Sequence, residues 1–134
     1  MRLEDLPGRA CPIAAALETV GDRWSLLIVR EVRLGSHRFT DIARGTGAPR
    51  DRLTARLKAL VEAGILSREQ YCESPPRHTY HLTEAGKELA PVLKALYGWG
   101  SRWACDPGPE ATAGNAGRAA AEGTAVTAPG SAPA

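Results

Sequence analysis

Three cysteines in 134 residues are too few, and odd in number, for a disulfide framework. No apolar run approaches the roughly 20 residues that a membrane-spanning helix needs, so no membrane partner is expected. The opening stretch MRLEDLPGRACP carries Glu4 and Asp5 where a signal peptide would hold its apolar core, and a cytoplasmic protein is the expectation. Signatures of catalysis are missing as well. Gly86-Lys87 lacks the preceding glycine spacing of a P-loop, and neither an HExxH nor a nucleophile elbow occurs. The histidines are His37, His78 and His81. His78 and His81 stand three apart in a presumed strand, so they point to opposite faces and make a poor metal pair. Solvated histidines, or histidines on the surface of that strand's sheet, are the expected reading. There is no internal repeat. An enzyme, a metal site and a cofactor are therefore not expected.

What remains is a chain with 43% hydrophobic and 24% charged residues, the make-up of one soluble globular domain. The net charge of +2 says little about partners, but its distribution says more. Residues 1–104 hold 16 of the 17 Lys and Arg and 12 of the 15 Asp and Glu, a balance of +4. Residues 1–10 read as a flexible arm. From Asp106 the chain runs DPGPEATAGNAGRAAAEGTAVTAPGSAPA, with almost nothing large and apolar. Residues 106–134 are expected to be a disordered Ala/Gly/Pro-rich tail, because they cannot offset their ordering entropy.

Between these ends the patterning is helical first. Pro12 opens a helix whose apolar positions are Ile13, Ala16, Leu17 and Val20, and Gly21 ends it. Asp22 caps a second helix from Arg23 to about Leu34, with Trp24, Leu27, Ile28 and Val32 on one face and Gly35 after it. Trp24 has the spacing of a core residue rather than a ligand-stacking one. Ser36 to Phe39 suggests a short strand. Thr40 then caps a short helix, about Asp41 to Arg44, with Ile42 and Ala43 inward.

The stretch Arg38 to Leu82 holds the main signal. After the turn Gly45-Thr46-Gly47-Ala48-Pro49, Pro49 suits a first helical position. Leu53, Leu57, Leu60 and Val61 define an apolar face, and Gly64 supplies the left-handed stop. At 100° per residue, Asp51, Arg52, Ala55, Lys58, Ala59 and Glu62 fall on the far side, flanked by Arg50, Thr54 and Arg56. From Arg50 to Lys58 the charge is a net +3. A helix reading the DNA major groove needs this arrangement: an anchored apolar face, cations near phosphates, and Ala or Thr near base edges. One basic helix alone is more often a solvated face. The hairpin that follows changes this. Ile65, Leu66 and Tyr71 lead out, Thr79, Tyr80 and Leu82 return, and Glu73-Ser74-Pro75-Pro76 turns between them with both prolines at the tip. Tyr80 and Leu82 face the core, and Arg77 stands exposed beside the tip, suited to phosphate or the minor groove. Helix, turn, helix and hairpin make a winged helix-turn-helix, a DNA-reading unit.

After Leu82, Thr83 caps a final helix. Leu89, Val92, Leu93, Leu96 and Tyr97 repeat along it toward Trp99 and Trp103, with Pro91 kinking or splitting it. This is more apolar surface than a small winged-helix core can take so late in the chain, and symmetric pairing of two copies is the expected use. A helix folded back on its own domain is the alternative.

The chain resembles the HxlR-type family of bacterial winged-helix regulators, which is similar in architecture to the MarR type. The resemblance runs from about Cys11 to Trp103. It rests on Cys11-Pro12, Gly21-Asp22-Arg23-Trp24-Ser25-Leu26-Leu27-Ile28, Arg38-Phe39, Leu53-Thr54, Leu57, Leu60, Gly64 and Tyr71. It continues with Pro75-Pro76-Arg77, Tyr80-His81-Leu82-Thr83 and Trp99-Gly100. Ala48 departs from it, since the family often has a serine before the proline that opens the recognition helix, and loss of that cap typically costs about 1 kcal/mol.

The resemblance implies a homodimeric transcriptional regulator and no enzyme. The expected fold is mainly α with a small antiparallel β-wing, a winged helix-turn-helix with N-terminal and C-terminal helices for dimerisation, over residues 11–105. Its expected partners are double-stranded DNA, itself and a small-molecule or oxidant effector. A recognition helix at about 49–63 and a wing at about 65–82 would read a near-palindromic operator. The candidate DNA contacts are Arg38, Thr40, Arg50, Asp51, Arg52, Thr54, Ala55, Lys58 and Arg77. Ile13, Leu17, Leu93, Leu96, Tyr97 and Trp99 are the candidate dimer contacts.

Cys11 precedes Pro12 at an N-cap position, where backbone N–H groups and the helix dipole favour a thiolate. The resemblance adds that some HxlR-type members sense oxidants or electrophiles through a cysteine at this place. A structural cysteine is the other reading, and Cys72 and Cys105 read as bystanders. A winged-helix protein-interaction module without DNA binding is the alternative function. The basic face from Arg50 to Lys58 separates the two, since a protein-binding version has no need of it.

Overall fold

The structure is a computed structural model that describes residues 2–105. The tail expected over 106–134 lies outside the described residues. The chain divides into two compact units, one ending at Glu88 and one beginning at Leu89. In the arm expected over 1–10, Leu3–Asp5 form a 3-10 turn and Leu6 is buried.

The first unit is built around its second helix. Helix α1 spans Pro12–Val20, and α2 spans Ser25–Arg33. α2 packs against α3 (Phe39–Thr46), α4 (Arg50–Glu62) and the second strand of the wing. Its residues Ile28, Val29 and Val32 meet Ile42 of α3 and Leu53, Leu57 and Leu60 of α4 in the buried core. Spacings of three and four put those leucines on one stripe, so burying the stripe fixes which face of α4 is left outward.

Asp22 is expected to cap α2 from Arg23, but the helix begins two residues later with Trp24 as its N-cap residue, and Asp22 instead ties down the turn that leads into it. The Asp22 carboxylate accepts from the backbone N–H groups of Trp24 and Ser25, both at 3.0 Å, and from the fully buried Ser25 hydroxyl at 2.5 Å. Burial on its own pushes the Asp22 pKa up. The Ser25 hydroxyl, the two backbone donors and the Arg56 guanidinium outweigh it and hold the carboxyl below its ordinary value. Trp24, expected in the core, is half-buried with the Arg23 guanidinium 4.7 Å from its ring centre. Val29, which the periodic reading left out, is fully buried.

The wing is a two-stranded antiparallel sheet, β1 (Leu66–Glu73) and β2 (Pro76–Leu82), with Leu66 opposite Leu82 and Glu73 opposite Pro76. Only Pro75 is in the turn. Pro76 opens β2, because a first strand position does not require its missing N–H. A bulge between Gln70 and Cys72 shifts the register near the tip. The third strand expected at Ser36 to Phe39 shrinks to a single bridge, Arg38 to Thr79. It is reinforced where the Tyr80 N–H donates to the His37 carbonyl at 2.8 Å and where His37 Nδ1 meets the Tyr80 carbonyl at 2.8 Å. The His37 and His81 rings stack at 4.6 Å. These histidines are therefore half-buried packing groups between the loop before α3 and the wing, rather than solvated ones.

Two glycines make the joints of this layout. Gly64 ends α4 at φ +79, with its N–H on Val61 and the Ile65 N–H on Leu60, the paired bonds that close a helix through a left-handed residue. Gly86 sits buried in the short helix α5 (Glu84–Lys87), where a Cβ would collide with the Ile65 carbonyl. Thr83 caps α5 as expected, accepting from the Gly86 N–H at 3.2 Å, and its hydroxyl also donates to the Gly64 carbonyl.

The final helix expected after Thr83 is split, as the proline at 91 implies, with α5 ending at Lys87 in the first unit and a new helix starting in the second. α6 spans Ala90–Trp99 with Pro91 in its first turn, and a π-helical turn, Gly100–Ala104, follows. None of the α6 residues is buried.

Candidate nucleic-acid interface

The connection between α3 and α4 sets the angle at which α4 is presented. The Thr46 hydroxyl donates to the Ile42 carbonyl at 2.8 Å and accepts from the Ala48 N–H at 3.2 Å, while Ala48 itself is buried. The serine missing before the proline is thus met by packing of Ala48 and by the threonine two positions earlier. Pro49 is the residue before the helix rather than its first member, with φ −59 and ψ 146, and α4 begins at Arg50. Thr40 does not cap α3. That helix starts earlier, at Phe39, and Thr40 lies exposed in its first turn.

On α4 the residues Arg50, Asp51, Arg52, Thr54, Ala55 and Lys58 are all exposed on the side away from Leu53, Leu57 and Leu60. Two expectations for this face change. Ala59 is half-buried, and Arg56 turns inward to pair with Asp22 at 3.4 Å. With Arg56 engaged there, the outward charge on the first two turns is a net +2 rather than +3. Thr54 donates its hydroxyl to the Arg50 carbonyl at 2.9 Å.

Two arginines are held on aromatic rings. The Arg50 guanidinium lies 4.9 Å from the centre of the Phe39 ring, and Arg38 lies 5.1 Å from that of Tyr71. Such stacking limits a guanidinium's freedom while leaving its edge free to bond a phosphate. The bridge at Arg38 ties this residue to the wing, so α3, α4 and the wing each supply cations. Arg77 is exposed at the start of β2, opposite Cys72. All nine candidate DNA-contact residues are exposed.

A cleft of about 350 Å³ opens where α4 meets the wing. Arg68 and Tyr80, cross-strand partners on β1 and β2, form one wall, and Phe39, Val61 and Lys58 are among the residues lining the rest. The sequence reading missed Arg68. Period-two counting from the buried Leu66 would have placed it on the inner face, but its pairing with Tyr80 depends on a register that the bulge obscures.

The remaining candidates lie elsewhere. Cys11 is the half-buried N-cap residue of α1 and makes no side-chain cap bond. Ile13 and Leu17 on α1 are 72% and 59% exposed, too much for an apolar face that packs on its own unit. On α6, Leu96 and Trp99 are 49% and 62% exposed, and Leu93 and Tyr97 are half-buried.

A helical pair joined by this short turn, with a two-stranded hairpin directly behind it, defines a winged helix-turn-helix protein. Comparison with known proteins narrows the class: residues 19–107 match the HxlR-like helix-turn-helix family. An HTH-type transcriptional regulator of Mycobacterium tuberculosis H37Rv is 46% identical over 91 residues, which cover 68% of this chain and 58% of that one. The chain thus spans less than two thirds of that relative's length. A regulator of the same description from Synechocystis is 38% identical, with 72% of each chain covered. Among solved structures, the reduced form of the transcriptional regulator YodB from Bacillus subtilis superposes with a TM-score of 0.58 at 32% identity, covering 73% of this chain and 97% of that one. YodB has also been solved after diamide treatment. The chain belongs to the HxlR-type family of winged helix-turn-helix transcriptional regulators.

Proposed function

We propose that the protein acts in the cytoplasm as a homodimer that binds a near-palindromic DNA operator, with α4 in the major groove and the wing on the flanking backbone. The observation that carries this reading is the outward face of α4. Its leucines are fully sequestered, its outward cations Arg50, Arg52 and Lys58 have no carboxylate partner among the described ion pairs, and Ala55 and Thr54 lie between them. Small residues among cations are what close approach to base edges requires. A module that bound only protein would have no use for this pattern. Dimerisation through Ile13 and Leu17 of α1 and Leu93, Leu96, Tyr97 and Trp99 of α6 would set two such helices about one DNA turn apart. Selection of bound duplexes from a random pool, at controlled salt, tests the proposal. It should return two half-sites about 10 bp apart, and a pool with no enriched motif would overturn it.

The place of Cys11 supports a second element of the proposal, a response to oxidants or electrophiles. It sits at the start of the helix that carries Ile13 and Leu17, so a change there bears on subunit spacing. Oxidation would join the two Cys11 thiols of a dimer in a disulfide, with two protons and two electrons passing to diamide or a quinone. A hundredfold loss of operator affinity needs only about 2.8 kcal/mol of difference between the two forms. Wild type should lose operator binding on diamide treatment and Cys11→Ser should keep it. Equal behaviour of the two proteins would make Cys11 a structural residue.

A further inference from the structure

We infer that Tyr71 of the wing is a positioning residue for DNA binding: its ring holds the Arg38 guanidinium, still fully charged, in place for a phosphate of the flanking backbone. This rests on the proposed reading of DNA by α4 and the wing. It gives the wing a second way to act, through a residue that does not itself touch DNA.

The sheet brings the two side chains within reach. Arg38 precedes α3 with extended backbone, φ −96 and ψ 152, and bridges Thr79 of β2. Thr79 in turn stands opposite Glu69 of β1. Residues opposite one another in a sheet share a face, so Arg38, Thr79 and Glu69 form one row across it. The Arg38 side chain crosses β2 and comes to rest 5.1 Å from the centre of the Tyr71 ring on β1. Tyr71 is the extra residue of the bulge. Gln70 stands opposite His78 and Cys72 opposite Arg77, which leaves Tyr71 with no partner across the sheet. A bulge re-aims a side chain, and here no residue stands directly opposite to cover the ring.

The choice of partner matters for function. Glu69 lies in the same row, and an ion pair with it would neutralise Arg38 before a phosphate arrived. None of the described ion pairs joins the two. The ring attracts the guanidinium through its quadrupole and leaves both the charge and the N–H edge for phosphate. It also restricts beforehand the rotamer freedom that an exposed arginine would otherwise lose on binding. Tyr71 is 46% exposed and takes no part in the buried core. Phe39 holds Arg50 in the same manner, but Phe39 is half-buried in the first turn of α3, so Tyr71 is the ring that can be changed with less harm to the fold.

The test compares Tyr71→Leu, Tyr71→Phe, Arg38→Ala and the double variant Arg38→Ala/Tyr71→Leu in the full chain, with circular dichroism to check that each is folded. Without DNA, the δ-methylene proton resonances of Arg38 should lie upfield under the ring current in wild type and in Tyr71→Phe, and move downfield in Tyr71→Leu. On the selected operator and on a random duplex alike, Tyr71→Leu should lose about two- to fivefold in affinity, the size of one cation–π contact at an exposed site. Tyr71→Phe should keep wild-type affinity. Arg38→Ala should flatten the plot of log affinity against log salt by about 1, and in that background Tyr71→Leu should cost nothing further. Equal losses from Tyr71→Leu in both backgrounds overturn the inference, because Tyr71 then acts without Arg38. So does a Tyr71→Phe protein that binds as weakly as Tyr71→Leu, which would assign the contact to the hydroxyl. Unmoved Arg38 resonances in Tyr71→Leu, or unchanged affinity in Arg38→Ala, overturn it as well. A wild type that binds no duplex defeats the proposed function and this role with it, whereas a wild type that binds while the two changes add independently defeats the role of Tyr71 alone.

Discussion

Asp22 shows how one side chain serves several tasks in this chain. It ties down the turn that leads into α2 by accepting from the first backbone N–H groups there, satisfies the only buried polar residue among those described, and holds Arg56 away from the outward face of α4. Asp22→Ala should cost about 1–2 kcal/mol in urea unfolding, the usual range for losing a side chain that bonds the first N–H groups of a helix. The pH dependence has a definite sign. The folded carboxyl titrates below its unfolded counterpart, so its contribution is complete above the unfolded pKa of about 4 and is lost as pH falls through the lower folded value. Wild type should therefore lose stability below about pH 4 more steeply than Asp22→Asn, which keeps an accepting oxygen but does not titrate. Matching acid limbs for the two proteins would refute this. Lys58 belongs to the same scale. Lys58→Ala should weaken binding to all DNA sequences and flatten the plot of log affinity against log salt by about 1, the mark of one phosphate contact.

At the scale of elements, the joint between α4 and the wing carries most of the design. Gly64 takes a left-handed conformation that any other L-residue adopts only at a cost of about 1–2 kcal/mol, so Gly64→Ala should lower stability by that amount. Gly86→Ala meets the Ile65 carbonyl and should cost about 1–3 kcal/mol through displacement of α5 from the strand. Both variants should change operator affinity beyond their effect on folding, because each moves the wing relative to α4. Thermal melts alongside binding titrations separate the two effects. If affinity is unchanged at temperatures where both variants are fully folded, the wing plays no part in recognition.

For the whole molecule, the expected dimer follows from the unburied faces of α1 and α6. Leu96→Glu would place a charge in an apolar interface and should give a monomer by light scattering at micromolar concentration. If the proposed dimer engages both half-sites together, the same variant should lose most of its operator affinity. Insertion of five base pairs between half-sites, about half a helical turn, should do likewise to wild type. A dimeric Leu96→Glu would move the interface elsewhere.

The order of helices, the leucine stripe of α4, the glycine stop at 64, the Thr83 cap and the break at Pro91 were all determined by the sequence alone. Each depends on residues within four or five positions of one another, a range over which periodicity and capping chemistry act directly. The six outward candidates on α4 were legible for the same reason: a stripe that must be buried leaves its opposite face exposed. Other features were decided only when distant segments met. Arg56 looked like one more surface cation until α2 brought Asp22 to it from 34 positions away. His37 and His81 became a stacked pair, and a presumed strand at 36–39 became one bridge, because the wing packs where it does. Arg68 joined Phe39, Lys58 and Tyr80 around a cleft through a β register that no local pattern encodes. Local spacing tells which way a side chain points, and only tertiary packing tells what it meets there.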